Sequence, residues 1–337
     1  MTSGTSKSGS EGLRKLRLVY ILAASHSGST LLAMLLGSHP EICTVGELNL
    51  SGLHDLDTYR CSCLAPIREC PFWSGVSEEM SGRRLNFDIT RAGMDFRSGG
   101  SPYVRRLLQP LHRGAFLEFL RDAALALSPA WRTSVPAVQA RNVAFIDCIR
   151  ARSGKPVVVD SSKIALRLKY LLRNPQLDVR IVRLVRDGRG VALTYTDPAQ
   201  FADATDPRLR GGGGGTDRER ERLSVEDAAS EWRRSNEEAE AILRGIEPWR
   251  WMQVRYEDLC TRPEAVLTSL FSFLGVAPAD VFHNFRSVEQ HVIGNGMRLD
   301  QCRQIRFDER WRSVLTAEQI KRFDKIAGRT NRRLGYN

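Results

Sequence analysis

The run Leu18-Val-Tyr-Ile-Leu-Ala-Ala24 empties into Ser25-His-Ser-Gly-Ser-Thr30, which opens a second apolar run, Leu31-Leu-Ala-Met-Leu-Leu36. A short, continuously apolar run ahead of a longer helical one reads as a core strand, a polar loop and a helix. The loop offers hydroxyls, a small flexible Gly and the unpaired backbone N–H groups of a helix start, which together make a cradle for an oxyanion. Phosphate or sulfate is the expected guest. The alternative for this segment alone is an N-capped helix after a core strand, with no ligand.

The same alternation recurs. Parallel-strand candidates are Leu18–Ala23, Val157–Asp160, Val179–Val185 and Trp251–Arg255, each followed by a helical or loop segment, which predicts an α/β fold. A chain of 337 residues, 42% of them hydrophobic, can bury one elaborated domain. That domain is expected over 15–337, after a polar tail at 1–14. A helix is expected from Lys163 through Leu171, and another after Thr316, where Thr316 and Gln319 are placed as a capping box. Between Cys70 and Arg152 the spacing of Leu107, Leu111, Phe116, Leu117 and Leu120 is helical, so 71–152 reads as a mostly helical insertion capping the sheet's C-terminal edge. Residues 197–222, with five consecutive glycines, read as a mobile loop, either a lid or a neutral insertion.

The first loop is not a nucleoside-triphosphatase P-loop, which needs a Gly-Lys-Ser/Thr triplet whose Lys reaches the terminal phosphates. It resembles the 5′-phosphosulfate loop of sulfotransferases that use 3′-phosphoadenosine 5′-phosphosulfate (PAPS). In that resemblance His26 stands in the basic position, Ser29 replaces a Thr, and Ser27, Gly28 and Thr30 complete the cradle. A second segment, Val179 to Val185 followed by Arg186-Asp-Gly-Arg-Gly-Val-Ala-Leu-Thr194, resembles the family's strand and basic turn. There an Arg and a hydroxyl one to two helical turns later hold the 3′-phosphate, which implies that role for Arg186 and Thr194. A guanidinium suits it because its planar fork pairs with phosphate oxygens. The alternatives are an ion pair for Arg186, with Asp187 or a neighbour, and a bond from Thr194 to its own helix backbone.

Two later segments extend the resemblance. Trp251 to Arg255, then Tyr256-Glu-Asp-Leu and a Pro263-started helix ending in Phe273-Leu-Gly275, implies that Tyr256 lines an adenine pocket; a core Tyr is the alternative. The stretch His291-Val-Ile-Gly-Asn-Gly-Met-Arg298 is similar to the late basic loop of the family and implies nucleotide contacts from Asn295 and Arg298. The resemblance as a whole implies a P-loop-like parallel sheet flanked by helices, a helical acceptor-binding cap, PAPS as sulfuryl donor and no metal. The acceptor is left open as a small molecule, glycan or peptide.

Sulfuryl transfer resembles phosphoryl transfer in passing through a loose in-line transition state. The protein then mainly positions two substrates and neutralises charge on the leaving phosphate oxygen. His26 or Lys163 is expected to supply that charge. The acceptor needs a base, and Glu47, in a Gly-Glu pair similar to that of tyrosylprotein sulfotransferases, is the first candidate, with His112 and His291 in reserve. A P-loop kinase or ATPase and a non-catalytic nucleotide or polyanion binder are the rival functions.

The formal net charge of +11 calls for anionic partners. The basic residues are dispersed and form no nucleic-acid module, so nucleic acid is not expected. No run is long and apolar enough to span a bilayer, and a cytoplasmic, bacterial-type member of the family is expected. Cys61, Cys63 and Cys70 cluster in sequence after His54, at a spacing that matches no standard zinc ribbon or finger. Reduced thiols, a structural metal and a regulatory disulfide all stay open. The oligomeric state is not legible.

Overall fold

The continuously apolar first strand requires cover on both faces, and the fold is built around meeting that need. A computed structural model of the protein describes residues 15–50, 53, 56–97, 101–109, 115–210, 222–301 and 304–337. In chain order these form β1 (Leu16–Ala23), α1 (Ser29–Gly37), β2 (Ile42–Thr44), α2 (Pro71–Gly82), α3 (Pro102–Leu107), α4 (Ala115–Leu127) and α5 (Pro129–Ser153). There follow β3 (Val157–Lys163), α6 (Ala165–Leu171), β4 (Leu177–Val185), α7 (Gly188–Thr196), α8 (Pro198–Phe201) and α9 (Val225–Leu243). The last elements are β5 (Trp251–Arg255), α10 (Tyr256–Thr261), α11 (Pro263–Leu274), α12 (Trp311–Val314) and α13 (Ala317–Arg333).

The five strands form one sheet in the order β2-β3-β1-β4-β5, and the four that the alternation predicts are parallel within it. Side chains alternate between its faces. Leu18, Tyr20 and Leu22 of β1 join a core with Trp73, Phe145 and Ile149 on one side. Val19, Ile21 and Ala23 join Leu32, Leu36, Leu270 and Phe271 of α1 and α11 on the other. A third core, with Val191, Trp232 and Phe323, packs α7, α9 and α13 together. Thr316 caps α13 in the expected capping box with Gln319.

Three expectations change. β3 runs on through Lys163, so the following helix starts at Ala165 and not at Lys163. Its polar end is tolerable in the interior because it is fully hydrogen-bonded. Asp160 accepts from the backbone N–H of Leu48 (3.2 Å) and Ser162 (2.9 Å) and from Arg167 Nε (2.9 Å). Arg167 in turn donates to the Met94 carbonyl (2.8 Å) and Asn142 (2.7 Å). Secondly, β2 is a strand of three residues, too short to stand out as a pattern.

Thirdly, segment 71–152 is mostly helical in its described residues and covers a face of the sheet. Its longest helix, α5, packs on β1, β2 and β3, because the apolar face carrying Leu18, Tyr20 and Leu22 must be covered. The predicted tail at 1–14 and the glycine run, within 211–221, lie outside the described residues. The described start of the 197–222 segment forms α8 and a short turn at Pro207–Leu209. No helix among the described residues is long and apolar enough to cross a membrane.

Candidate functional site

The C-terminal ends of β1, β3 and β4 open into one cleft of about 1290 Å³, more than a single small ligand needs. At the end of β1, His26 (φ 60°) and Gly28 (φ 89°) turn the chain sharply into α1. Gly28 is the N-cap, no side chain caps the helix and no acid sits in its first turn, so its leading N–H groups face the cleft wall unneutralised. Ser27 is buried and its Oγ has no hydrogen-bond partner. Only glycine fits at position 28, since a Cβ there would lie 2.5 Å from Tyr256 Cδ2. His26, Gly28, Ser29 and Thr30 line the cleft.

The second turn lies beside the first because β4 is hydrogen-bonded to β1. Arg186, directly after β4, donates from Nη1 to the His26 carbonyl (2.7 Å) and from Nη2 to Asp308 Oδ2 (2.9 Å). Its guanidinium lies 4.5 Å from the centre of the Tyr256 ring. The ion pair considered for Arg186 is therefore with Asp308; Asp187 instead caps α7 and pairs with Arg189 (2.7 Å). Burial would raise the Asp308 carboxyl, but the Arg310 and Arg186 guanidiniums override it and hold it at about 2. Thr194 lines the cleft while its hydroxyl donates to the Gly190 carbonyl (3.0 Å). Tyr256 forms part of the wall, its phenol accepts from the Asp308 N–H (3.3 Å), and burial pushes its ionisation well above the usual range.

Glu47 and Lys163 meet as an ion pair on the same cleft wall. Gly46 places Glu47 there: its φ is 88°, and a Cβ would collide with the Ile293 carbonyl oxygen at 2.0 Å. Lys163, at the end of β3 with φ 69°, also donates to the Ser161 carbonyl at 3.4 Å. The buried Asp160, two peptides from Ser162, anchors both halves of this pair through Leu48 and Ser162, a positioning role the sequence reading missed.

Asn295 lines the cleft and caps the turn Gly296–Leu299 by accepting from the Met297 N–H (3.0 Å). Arg298 does not reach the cleft. It is 1% exposed, stacks 4.6 Å from the Tyr59 ring and donates to the carbonyls of Gly294, Asn295 and Arg60, so it is a tie beneath the loop and not a nucleotide contact. The late cations that do line the cleft are Arg286, Arg306 and Arg310. The Arg306-Phe-Asp-Glu-Arg310 run carried that signal in the sequence. Arg234 of α9 and the rings of Tyr195, Phe201 and Phe307 were not anticipated in the wall.

Among the described residues, none of 71–152 lines the cleft. The other side is built instead from Phe201 to Thr205, Asp227 to Arg234 and the 286–310 stretch. His112 lies outside the described residues, and His291 stands beside Cys61 and Cys70, away from the cleft.

The cleft thus brings the uncapped start of α1 and the Arg186 turn together with a carboxylate–lysine couple. Residues 122–280 match the sulfotransferase family. Mouse carbohydrate sulfotransferase 5 is 33% identical over 176 residues, covering 49% of this chain and 44% of its own length, so the chain spans less than half of that relative. Human carbohydrate sulfotransferase 6 is 25% identical over 341 residues, covering 94% of this chain and 80% of its own. Among solved structures, the sulfotransferase domain of the Synechococcus PCC 7002 olefin synthase aligns with a TM-score of 0.46 and 21% identity, over 94% of this chain and 96% of that one.

Proposed function

We propose that the chain is a member of the sulfotransferase family that its residues 122–280 match, and that it moves the sulfuryl group of PAPS to a hydroxyl of a carbohydrate. The observation that carries this reading is the convergence of the two anion turns, through the bond from Arg186 to the His26 carbonyl. That contact fixes a guanidinium beside an uncapped helix start, as a nucleotide with phosphates at both ends of its ribose requires. A second feature supports the reading: in the turn between His26 and Gly28 the Ser27 hydroxyl is buried without a hydrogen-bond partner, although Ser27 itself does not line the cleft. PAPS, when bound, supplies an activated sulfuryl group on a phosphate leaving group.

In this reading the N–H groups of Ser29 and Thr30 and the hydroxyls of Ser27 and Thr30 hold the 5′-phosphosulfate end. Arg186 takes the 3′-phosphate, with Thr194 next to it once its hydroxyl turns from the Gly190 carbonyl. Tyr256 carries the adenine side, and Asn295 closes the pocket. Lys163 or His26 meets charge at the departing phosphate oxygen, and Glu47 accepts the proton of the acceptor hydroxyl. The Glu47–Lys163 pair couples these two tasks, since a proton gained by Glu47 frees the Lys163 charge. No step of this chemistry calls on a metal.

The glycan acceptor is drawn from the matched relatives and is supported by the wall, which includes the rings of Tyr195, Phe201 and Phe307 with Arg234, Arg286 and Arg306. The test is transfer from radiolabelled PAPS to a panel of mono- and oligosaccharides. Labelled sugar with wild type, falling about a hundredfold or more in Glu47→Gln, is the result expected. Labelling of non-carbohydrate acceptors alone would remove the glycan assignment, and no labelling of any acceptor, with hydrolysis of ATP instead, would remove the sulfotransferase.

A further inference from the structure

On the far side of the loop that ends at Asn295, four metal-ligating side chains converge. The Sγ atoms of Cys61, Cys63 and Cys70 and a ring nitrogen of His291 lie within 4.8 Å of one another. We propose that Cys61, Cys63, Cys70 and His291 bind one zinc ion in a closed, structural site. Nothing in the sulfuryl chemistry uses it, and the proposal stands independently of that reading.

Three of the six ligand–ligand edges match a tetrahedron, and all lie within 4.8 Å. With Zn–S of about 2.3 Å and Zn–N of about 2.0 Å, the edges are about 3.8 Å between sulfurs and about 3.5 Å from sulfur to nitrogen. Cys63 Sγ and Cys70 Sγ are 3.7 Å apart, and His291 Nδ1 is 3.3 Å from Cys70 Sγ and 3.7 Å from Cys61 Sγ. A disulfide would need a sulfur separation of about 2 Å and would leave a thiol and an imidazole unused. Three thiolates and one imidazole are the soft and borderline donor set that selects zinc over magnesium or calcium.

The surroundings hold each ligand in place. His291 stacks on Phe72, with centroids 4.6 Å apart and planes 12° from parallel. Its Nε2 faces Glu289 Oε1 at 3.3 Å, so Nδ1 is left to the metal, the carboxylate–imidazole arrangement that orients metal-bound histidines. Leu64, with φ 68°, turns the chain directly after Cys63, and its N–H donates to the Cys61 carbonyl (2.9 Å). Cys70 is the N-cap of α2, where the helix end favours a thiolate.

The site would staple the 60–70 loop to the 290–295 loop. Ser62 already ties them: it donates to the Gln290 carbonyl (2.5 Å) and accepts from the Val292 N–H (2.7 Å). Two residues beyond Val292, Gly294 donates to the Tyr59 hydroxyl (2.8 Å) beside Glu47. The ion would therefore brace one wall of the cleft without entering it. On binding, the thiols lose their protons to solvent and the metal takes the thiolates.

Elemental analysis of the untagged full chain, purified without chelator, tests this. One equivalent of zinc per chain is expected, with near-complete loss in Cys70→Ser and His291→Ala and retention in Cys148→Ala, which is not a member of the cluster. Exchange with cobalt on the wild-type chain should give the visible bands and thiolate charge transfer of a tetrahedral site, a readout that holds if the variants do not fold. Background metal in the wild type, a Cys63–Cys70 disulfide by mass spectrometry, or zinc undiminished in both variants would overturn the proposal.

Discussion

Gly28 is the residue on which the cleft depends most tightly. Its φ of 89° disfavours any side chain, and a Cβ would lie 2.5 Å from the Tyr256 ring. Gly28→Ala is expected to cost roughly 1–3 kcal/mol of stability and to weaken nucleotide binding at least about tenfold. Adding Tyr256→Ala should recover part of the stability and none of the binding. Asp308 gives a pH signature. Its carboxyl is held near 2, against 3.8 when free, so its stabilisation is complete above about pH 4 and is lost as pH falls towards 2. The shift corresponds to about 2 kcal/mol, and wild type should lose about that much more than Asp308→Asn between pH 4 and pH 2 in denaturant titrations; equal losses would remove Asp308 from the account. The cradle was legible because it is local in sequence. The partner of Arg186 was not, since Asp308 lies 122 positions away, and Arg298 misled because a basic residue in a glycine-containing loop looks the same whether it faces the cleft or the loop's underside.

Among the elements, β3 carries the most consequence for the site. Asp160 and Arg167, 0% and 3% exposed, form a buried pair that joins the end of β3 to Met94 and Asn142 and fixes the loop bearing Glu47. Removing one partner strands the other charge, so Asp160→Ala should cost about 3–5 kcal/mol. Asp160→Ala with Arg167→Met should cost less than the two changes summed, and additive losses measured by urea unfolding would contradict a coupled pair. The four longer strands were visible as apolar runs, and β2 was hidden by its length of three residues. The helices of 71–152 were visible by their spacing. Their placement was not, because an apolar stripe states that a surface must be covered without saying which one.

Across the whole molecule, the parallel order β2-β3-β1-β4-β5 sets the β1 and β4 turns side by side, with the Glu47–Lys163 pair reached from β3. Segments far apart in sequence then complete the site: α9 contributes Arg234, and the 286–310 stretch contributes Arg286, Arg306 and Arg310. The cysteine cluster shows the same limit of sequence reading, since its fourth member, His291, arrives from 221 positions beyond Cys70 and was held in reserve as a base. The central claim is that the two turns form one nucleotide site. Calorimetric titration with adenosine 3′,5′-bisphosphate, for wild type and Arg186→Ala, addresses it most directly. Saturable one-to-one binding that weakens roughly ten- to a hundredfold in the variant is the predicted result, the loss of a charged hydrogen-bonding pair. Absence of bisphosphate binding in the wild type, or equal affinity in Arg186→Ala, would contradict it.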